Sequence, residues 1–369
     1  MYRRQLLKAG LGAAALPLGI TRSLFAAQLP ADITAFSAIE LSTAIRERQL
    51  SCFEVMEAYL SHINRYNPTY NAIINRIDDD TALVHAMAAD RELDRGEYRG
   101  WMHGMPHAVK ELQAVAGMRF TSGSRLYADR IAEQDSSMVA RIREAGAIFI
   151  GKTNVPELGL GSQSYNPIYG ATGSAWNPAL TSGGSSGGAA SGLGTHMLPV
   201  ADGSDMMGSL RNPGAFNNVI GFRPSTNVMT GGAAEPRGLS TSGPMGRNVS
   251  DTIQLLQTIA VAPPRGEFSS LNLRNIRIGW MGNLNNYLAM EPGIVELCAN
   301  SLVTLEREGV NVDSMLPRFA YSELWDCWTT LRHSGRASYQ DEYNNPELRP
   351  LLKPELAWEV EQSMMLTDA

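Results

Sequence analysis

The stretch TSGGSSGGAASGLGTHMLPVADGSDMMGSLRNP, from Thr181 to Pro213, decides how the rest of this sequence is interpreted. It is dense in glycine and serine, but it has distinct features that a flexible linker lacks. Two serine-bearing turns, at 184–187 and 208–209, flank an apolar piece, Met197–Ala201, which we expect to be a buried strand. Glycines allow unusual backbone dihedrals and let a ligand come close. The two turns therefore predict that two serine hydroxyls meet at one site.

A lysine is the candidate base for these hydroxyls, because a serine is a weak nucleophile until a base accepts its proton. No histidine has a suggestive context; His196 lies within the stretch and the others are scattered. Lys110 follows the apolar run Met105–Val109, which predicts a short strand with the lysine at its end. The alternative is a solvated surface lysine, the common state of this residue.

Three motifs together resemble the amidase signature family, in the family's own order along the chain. They are GMPHAVKE at 104–111, GGSSGG at 183–188 and DGSDMMGSLRNP at 202–213. The resemblance implies that Ser209 is the nucleophile, that Ser185 is a second serine on a cis peptide bond, and that Lys110 is the base. The mechanism then needs a neutral Lys110, which burial favours.

The resemblance also implies an oxyanion hole, formed by the backbone N–H groups of Met206, Met207, Gly208 and Ser209. The family's commoner pattern has glycine at the position of Met207. A backbone N–H group survives a change from glycine to methionine, so the hole can persist. The change leaves open the backbone dihedral at 207 and the room for a substrate.

Three neighbours of these residues receive supporting interpretations. Ser186 is expected to hydrogen-bond within the site or to cap the following helix. Asp205 and Arg211 flank the nucleophile, and we expect structural roles for both. The aspartate would cap a turn or a helix start, and the arginine would pair with a carboxylate.

Composition limits the kinds of partner. Charged residues make up 18% of the 369-residue chain and the net charge is −6, which disfavours a nucleic-acid partner. The three cysteines show no metal-binding spacing. The resemblance implies a small-molecule amide substrate, and we expect no metal and no cofactor. A homodimer remains open.

The first 27 residues predict a twin-arginine signal peptide. Arg3-Arg4 is followed by the apolar run Ala9–Ile20 and by an imperfect cleavage site, Leu24-Phe25-Ala26-Ala27. The run is too short to span a bilayer, which takes about 20 residues. The alternative is an amphipathic N-terminal helix. A twin-arginine signal implies export to a bacterial periplasm.

The rest of the chain, 28–369, is predicted to form one amidase domain of the α/β class, with a mixed, twisted sheet covered by helices. Capping boxes predict helices at Ala38–Arg48 and at Cys52–Tyr66, the second ended by Asn67-Pro68. Ser250 is predicted to cap a helix, and Pro354–Met365 to be helical. Because family chains usually run further, the C-terminal part is expected to be shortened.

Two other motif matches are rejected on physical grounds. Residues 146–153, GAIFIGKT, fit a P-loop, but Ala147–Ile150 is a strand rather than an exposed phosphate-binding loop. Residues 183–187, GGSSG, fit a nucleophile elbow, but no hydrophobic strand precedes them.

Three functions are therefore open. The first is a secreted hydrolase that acts on linear amides. The second is a glutaminase-type subunit of a transamidation complex, which needs cytoplasmic partners and conflicts with the export signal. The third is a catalytically silent binding protein on the same scaffold.

Overall fold

The structure, a computed structural model, describes residues 32–230, 238–263 and 272–366. The predicted signal peptide at 1–27 lies outside the described residues. The helices of the described residues are α1 (Ala38–Arg46), α2 (Cys52–Tyr70), α3 (Asp79–Asp94), α4 (Ser137–Glu144), α5 (Gly187–Gly194), α6 (Arg211–Asn217), α7 (Thr226–Thr230), α8 (Val249–Ile259), α9 (Ile294–Arg307), α10 (Tyr321–Ser334), α11 (Gln340–Asn344) and α12 (Pro354–Met364). The strands are β1 (Ile73–Ile74), β2 (Pro106–Lys110), β3 (Ile148–Thr153), β4 (Tyr165–Asn166), β5 (Gly170–Ala171), β6 (Ala201–Asp205), β7 (Ile220–Gly221), β8 (Thr241–Gly246), β9 (Arg277–Trp280) and β10 (Asn311–Ser314).

The strands form small sheets with mixed directions. One sheet has the order β1-β3-β2, with β1 antiparallel and β2 parallel to β3. A second, antiparallel sheet has the order β6-β8-β7. The pairs β4–β5 and β9–β10 stand apart from both. The predicted α/β class is confirmed, with the strands divided between several small sheets.

Strand β3 shows how helices cover both faces of the first sheet. Ile148 and Ile150 belong to a buried cluster that includes residues of α1, α2, α3 and α5. Phe149 belongs to a second cluster, with residues of α4 and α8. Because successive side chains of a strand point to opposite faces, the sheet lies between two layers of helices.

Side-chain hydrogen bonds join the two main sheets where β2 meets β6. The backbone N–H of Lys110 donates to the carboxylate of Asp202, at 3.2 and 3.3 Å from its two oxygens. His107 Nε2 lies 3.1 Å from Asp202 Oδ1, and all three residues are buried. The carboxylate thus takes the place of a backbone partner and fixes the end of β2 beside β6.

The glycine-rich stretch forms a core helix, α5, rather than a linker. Nearly all of its residues are buried. A Cβ atom at Gly188 would lie 2.6 Å from the carbonyl oxygen of Ala72, so only glycine fits this close approach. Ala189 and Ala190 pack in the same cluster as Ala108 of β2. The N-terminal end of α5 is thereby held against the end of β2.

The predicted strand Met197–Ala201 is wrong in position. Met197 and Leu198 are buried, but they lie in an irregular segment, and the strand is β6, Ala201–Asp205. The sequence of β6, ADGSD, is mostly polar, so it lacks the apolar pattern that predicts a buried strand. Asp202 and Asp205 are buried because their carboxylates have hydrogen-bond partners inside the protein.

Three predicted helix boundaries also differ from the structure. Helix α1 ends at Arg46 rather than at Arg48. Helix α2 continues through Pro68 to Tyr70. Pro68 lies in the last turn, and the Asn67 side chain accepts hydrogen bonds from the N–H groups of residues 72 and 73 just beyond it. Asn248, not Ser250, caps α8, because its side chain accepts from the Asp251 N–H at 2.8 Å. The C-terminal helix is confirmed as α12.

Candidate active site

Lys110 lies at the end of β2 with its ammonium group among three serine hydroxyls. Its Nζ is 2.9 Å from Ser185 Oγ, 2.7 Å from Ser186 Oγ and 3.0 Å from Ser204 Oγ. The lysine is fully buried, so the alternative of a solvated surface lysine is wrong. The strand places it there because Lys110 shares a face of β2 with Ala108, which packs against α5.

Burial lowers the pKa of Lys110 from its ordinary value to about 7, against the opposing effect of the carboxylates of Asp202 and Asp205. Among the described residues, no carboxylate forms an ion pair with its Nζ. The neutral serine hydroxyls hydrogen-bond to the amine, but they do not stabilise its protonated form as a carboxylate would. A substantial neutral fraction near pH 7 follows.

A second buried lysine, Lys152, provides a contrast. Its Nζ lies 2.8 Å from Glu111 Oε2 and 2.8 Å from the carbonyl oxygen of Gln113, and both charged side chains are buried. Burial lowers the pKa of Lys152, and Glu111 opposes the shift. Lys152 and Glu111 therefore form a structural ion pair. Lys152 lies in strand β3 and not in a phosphate-binding loop, so the residues 146–153 do not form a P-loop.

The two serine turns are tied to each other by their backbones. The Gly184–Ser185 peptide bond is cis, as the resemblance implied for this position. The N–H of Ser186 donates to the carbonyl oxygen of Ser209 at 3.1 Å. Ser186 occupies the N-cap position of α5 but makes no capping hydrogen bond with its side chain. Of its two predicted roles, the structure therefore has the hydrogen bond within the site.

Ser209 lies in the turn between β6 and α6. Gly208 precedes it with φ +106°, a conformation that favours glycine, and a Cβ there would lie 2.7 Å from the Asn212 side chain. Ser209 lines the same cavity as Ser185 and Ser204. In the part of the chain that the structure describes, its hydroxyl has no hydrogen-bond partner. The structure therefore brings Lys110, Ser185 and Ser209 together without a direct hydrogen bond between the two serine hydroxyls.

Asp205 holds this turn in shape. Its carboxylate accepts from the N–H groups of Gly208 at 2.8 Å and Leu210 at 3.1 Å, and from the Arg211 guanidinium at 3.0 Å. Burial alone would raise the pKa of Asp205, but these hydrogen bonds lower it to about 2. The structural roles expected for Asp205 and Arg211 are confirmed.

The predicted oxyanion hole differs from the structure at Gly208. Its N–H donates to Asp205 and cannot also face a substrate. The N–H groups of Met206, Met207 and Ser209 have no partner among the described residues, so three of the four predicted donors are available. Met207 does not have a positive φ, so methionine fits its backbone conformation. Its half-exposed side chain lines the cavity and narrows it.

The cavity in front of the serines has a volume of about 430 Å³. Its far wall comes from α10, from the 3-10 turn Gly335–Tyr339 that follows it, and from α12. Sequence reasoning connected none of them with the site. The aromatic and charged residues of that wall are Trp325, Trp328, Arg332, His333, Arg336, Trp358 and Glu359.

Sequence reasoning missed two other groups of the site. Ser204 and Asp202 lie two positions apart on β6, and both contact Lys110. Correct placement of β6 would have found them, because alternate residues of a strand share one face. The residues of α10 gave no motif signal at all.

The described residues contain neither a candidate metal site nor a candidate membrane-spanning helix. Across 32–230, 238–263 and 272–366, no cluster of three or more His, Cys, Asp or Glu side chains could hold a metal ion. No described helix has the length and apolar character needed to cross a membrane.

Known proteins with similar sequences and structures point to one family. An acylamidase of Rhodococcus erythropolis is 31% identical over 319 residues, covering 83% of this chain and 66% of that protein. The A subunit of the glutamyl-tRNA(Gln) amidotransferase from Thermosynechococcus vestitus is 32% identical over 297 residues, covering 76% and 61%. The chain thus spans less than two thirds of the length of either relative.

Solved structures with a similar fold point to the same family. A bacterial aryl acylamidase of the amidase signature family superposes with a TM-score of 0.79 at 25% identity, covering 90% of this chain and 73% of that one. The family model described as Amidase matches residues 54–347. On this match and on relatives above 30% identity, the chain belongs to the amidase family.

Proposed function

We propose that this protein hydrolyses carboxylic amides through an acyl-enzyme on Ser209, with Lys110 as base and Ser185 as proton relay. One observation carries the proposal: Lys110 Nζ lies 2.9 Å from Ser185 Oγ, at the wall of a cavity that Ser209 also lines. Similarity to an acylamidase and to an aryl acylamidase structure supports this reaction class.

The surroundings of Lys110 suit a neutral amine. Such an amine has two N–H donors and one lone pair. The donors match Ser186 Oγ and Ser204 Oγ, which leaves the lone pair for the hydroxyl proton of Ser185. Ser185 Oγ can then accept the proton of Ser209 as Ser209 attacks.

The reaction then proceeds in two halves. Ser209 Oγ bonds to the amide carbon, and the resulting oxyanion is stabilised by the free N–H groups of Met206, Met207 and Ser209, each donor contributing about 3–4 kcal/mol by analogy with other hydrolases. The C–N bond breaks as Lys110 returns the proton to the leaving amine through Ser185. Water then hydrolyses the acyl-enzyme by the same relay, releasing the acid and restoring Ser209.

A second candidate is a glutaminase-type subunit. It is favoured by the similarity, at 32% identity, to the A subunit of an amidotransferase. The chemistry would be the same, with glutamine as the amide and ammonia as the leaving group. Release of ammonia from glutamine, compared with turnover of aryl and acyl amides, separates the two functions. We also propose export to the periplasm, on the basis of Arg3-Arg4 and the apolar run after them.

The test is labelling by a serine-reactive fluorophosphonate, followed by peptide mapping. We expect the label on Ser209 and its loss in Ser209→Ala. Ser162→Ala is the matched control, because Ser162 lines the same cavity outside the proposed relay and should leave the labelling intact. If the folded wild type resists the probe and hydrolyses nothing in a broad panel of amides and esters, the silent binding protein is the better interpretation.

A further inference from the structure

Three charged side chains meet at the far wall of the cavity. Arg332 and Arg336 both donate through Nε to the carboxylate of Glu359, at 2.6 and 2.8 Å. The side chains are 15%, 16% and 8% exposed, respectively, so little solvent screens them. The two arginines thus share one carboxylate.

Among the described residues, Glu359 is the one carboxylate that forms a salt bridge with either guanidinium group. Guanidinium groups stay charged at any pH that the protein tolerates. Among the described residues that line the cavity, Glu359 is the only acidic one. One arginine would be enough to link this wall to Glu359 of α12. A second buried positive charge lowers the stability of the fold unless an anion pairs with it.

The hydrogen-bond donors at this wall are also in excess. A guanidinium has five N–H groups, and Glu359 engages only the Nε of each arginine. Arg332 Nη1 lies 3.7 Å from Met206 Sδ, and within the described chain the Nη groups of Arg336 have no hydrogen-bond partner. The indole N–H of Trp328, which lines the same cavity, is buried and has no partner among the residues that the structure describes.

We propose that Arg332 and Arg336 form an anion subsite, which binds a carboxylate carried by the amide substrate. The inference rests on the proposed function, because it assigns a substrate class to the same cavity. The contact between Arg332 and Met206 places the subsite next to the turn of the reactive serine. Trp325, Trp328 and Trp358 line the space beside it, so the remainder of the substrate is apolar or aromatic.

The test compares matched substrates with and without the charge. On the amine side, 4-acetamidobenzoate is paired with 4-acetamidoacetophenone, in which a methyl ketone replaces the carboxylate. On the acyl side, the mono-4-nitroanilide of glutaric acid is paired with the 4-nitroanilide of 5-oxohexanoic acid. For at least one pair, we expect kcat/KM of the wild type to favour the carboxylate at least about tenfold, as hydrogen bonds to charged groups allow.

Variants test which residues bind the carboxylate of the substrate. Arg336→Gln should bring the ratio close to one by lowering kcat/KM for the carboxylate substrate more than for the uncharged one, and Arg336→Lys should retain part of the preference. Arg349→Gln is the control, because Arg349 lies outside the cavity and contacts Tyr343. Thermal unfolding checks that each variant is folded. A wild-type ratio near one for both pairs overturns the subsite, as does an unchanged ratio in Arg336→Gln.

A binding measurement separates this proposal from the proposed function. The cavity tryptophans provide a fluorescence signal for titration with 4-acetamidobenzoate and with 4-acetamidoacetophenone. If neither substrate class is hydrolysed and the fluorophosphonate does not react, the hydrolase proposal fails. Preferential binding of the carboxylate, lost in Arg336→Gln, would still support the subsite, and equal binding of both compounds would overturn it.

Discussion

At the scale of single residues, Lys110 determines how activity depends on pH. Its pKa is lowered to about 7 by burial, and only the neutral amine can accept the relayed proton. We expect kcat/KM for an uncharged amide to rise about tenfold per pH unit below about pH 7 and to level off above it. A profile that is flat between about pH 5 and pH 8 would remove Lys110 as the base.

The same burial makes Lys110 a pH-dependent destabiliser of the fold. An unfolded lysine has its ordinary pKa of 10.5, so the unfolded chain binds more protons than the folded one between about pH 7 and pH 10.5. The destabilisation is therefore complete below pH 7 and disappears as pH rises through this window. Urea unfolding should show Lys110→Met more stable than wild type at about pH 6, with the difference shrinking toward about pH 10.

The three proposed catalytic residues should act as one unit. We expect Ser209→Ala to abolish turnover and Lys110→Ala to be nearly as damaging. Ser185→Ala should retain residual activity, because water can occupy the space of the relay hydroxyl. The double variant Lys110→Ala, Ser185→Ala should be no slower than Lys110→Ala alone. Effects that multiply in steady-state kinetics would mean that the lysine and the serine act independently.

Sequence reasoning located these residues but not all of their contacts. Lys110, Ser185 and Ser209 lie in motifs with recognisable spacing, and the structure brings them together. Ser204 and Gly208 show where motifs fall short. Ser204 contacts the lysine only because β6 turns that face toward β2, and the Gly208 N–H turns toward Asp205 instead of the cavity. Such directions depend on tertiary packing.

At the scale of elements, apolar runs predicted β2 and β3 correctly and capping boxes predicted α1 and α2, whereas β6 was misplaced and α10 was not predicted. Strand β6 carries polar residues, which are buried because Asp202 binds Lys110 of β2 and Asp205 binds Arg211 of α6. Helix α2 likewise passes Pro68 and ends at Tyr70, where the Asn67 side chain accepts hydrogen bonds from the N–H groups just beyond the helix. In both places, side-chain hydrogen bonds override the local preference of the backbone. Hydrophobic periodicity cannot register them.

The turn before Ser209 provides a prediction at this scale. Asp205 is fully buried and ties this turn to Arg211, so we expect Asp205→Asn to lower the free energy of unfolding by about 3 kcal/mol. The pKa of Asp205 is lowered to about 2, so its stabilisation is present above pH 3.8, the ordinary value, and is lost as pH falls toward 2. In chemical denaturation, the deficit of the variant should therefore shrink below about pH 4.

Arg211→Gln is the matched control for this prediction. The Arg211 side chain is 57% exposed, and Asp205 keeps the N–H groups of Gly208 and Leu210 without it. We therefore expect a clearly smaller loss of stability than in Asp205→Asn. Equal losses in the two variants would mean that the ion pair, rather than the network around the carboxylate, holds the turn.

At the scale of the whole molecule, sequence reasoning anticipated an α/β scaffold but not the far wall of the cavity. The wall comes from α10, the 3-10 turn after it and α12, which follow the motif-bearing region by more than a hundred residues. Helix α12 was predicted as an element, but nothing in its sequence indicated that Trp358 and Glu359 would line the cavity. Contacts between segments distant in the chain depend on how the helices pack, so the wall that faces the substrate could not be predicted from sequence motifs.

We expect the folded chain to be exported to the periplasm. The twin-arginine pathway exports proteins already folded, which suits a scaffold whose proposed site joins segments distant along the chain. A reporter fused after Ala27 should reach the periplasm, measured by fractionation of the cells. Changing Arg3 and Arg4 together to lysine should stop export, because the pathway reads the arginine pair, whereas changing Lys8 to arginine should not. Export that survives the double change would place the protein on another route, and a reporter retained in the cytoplasm would favour the glutaminase-type subunit.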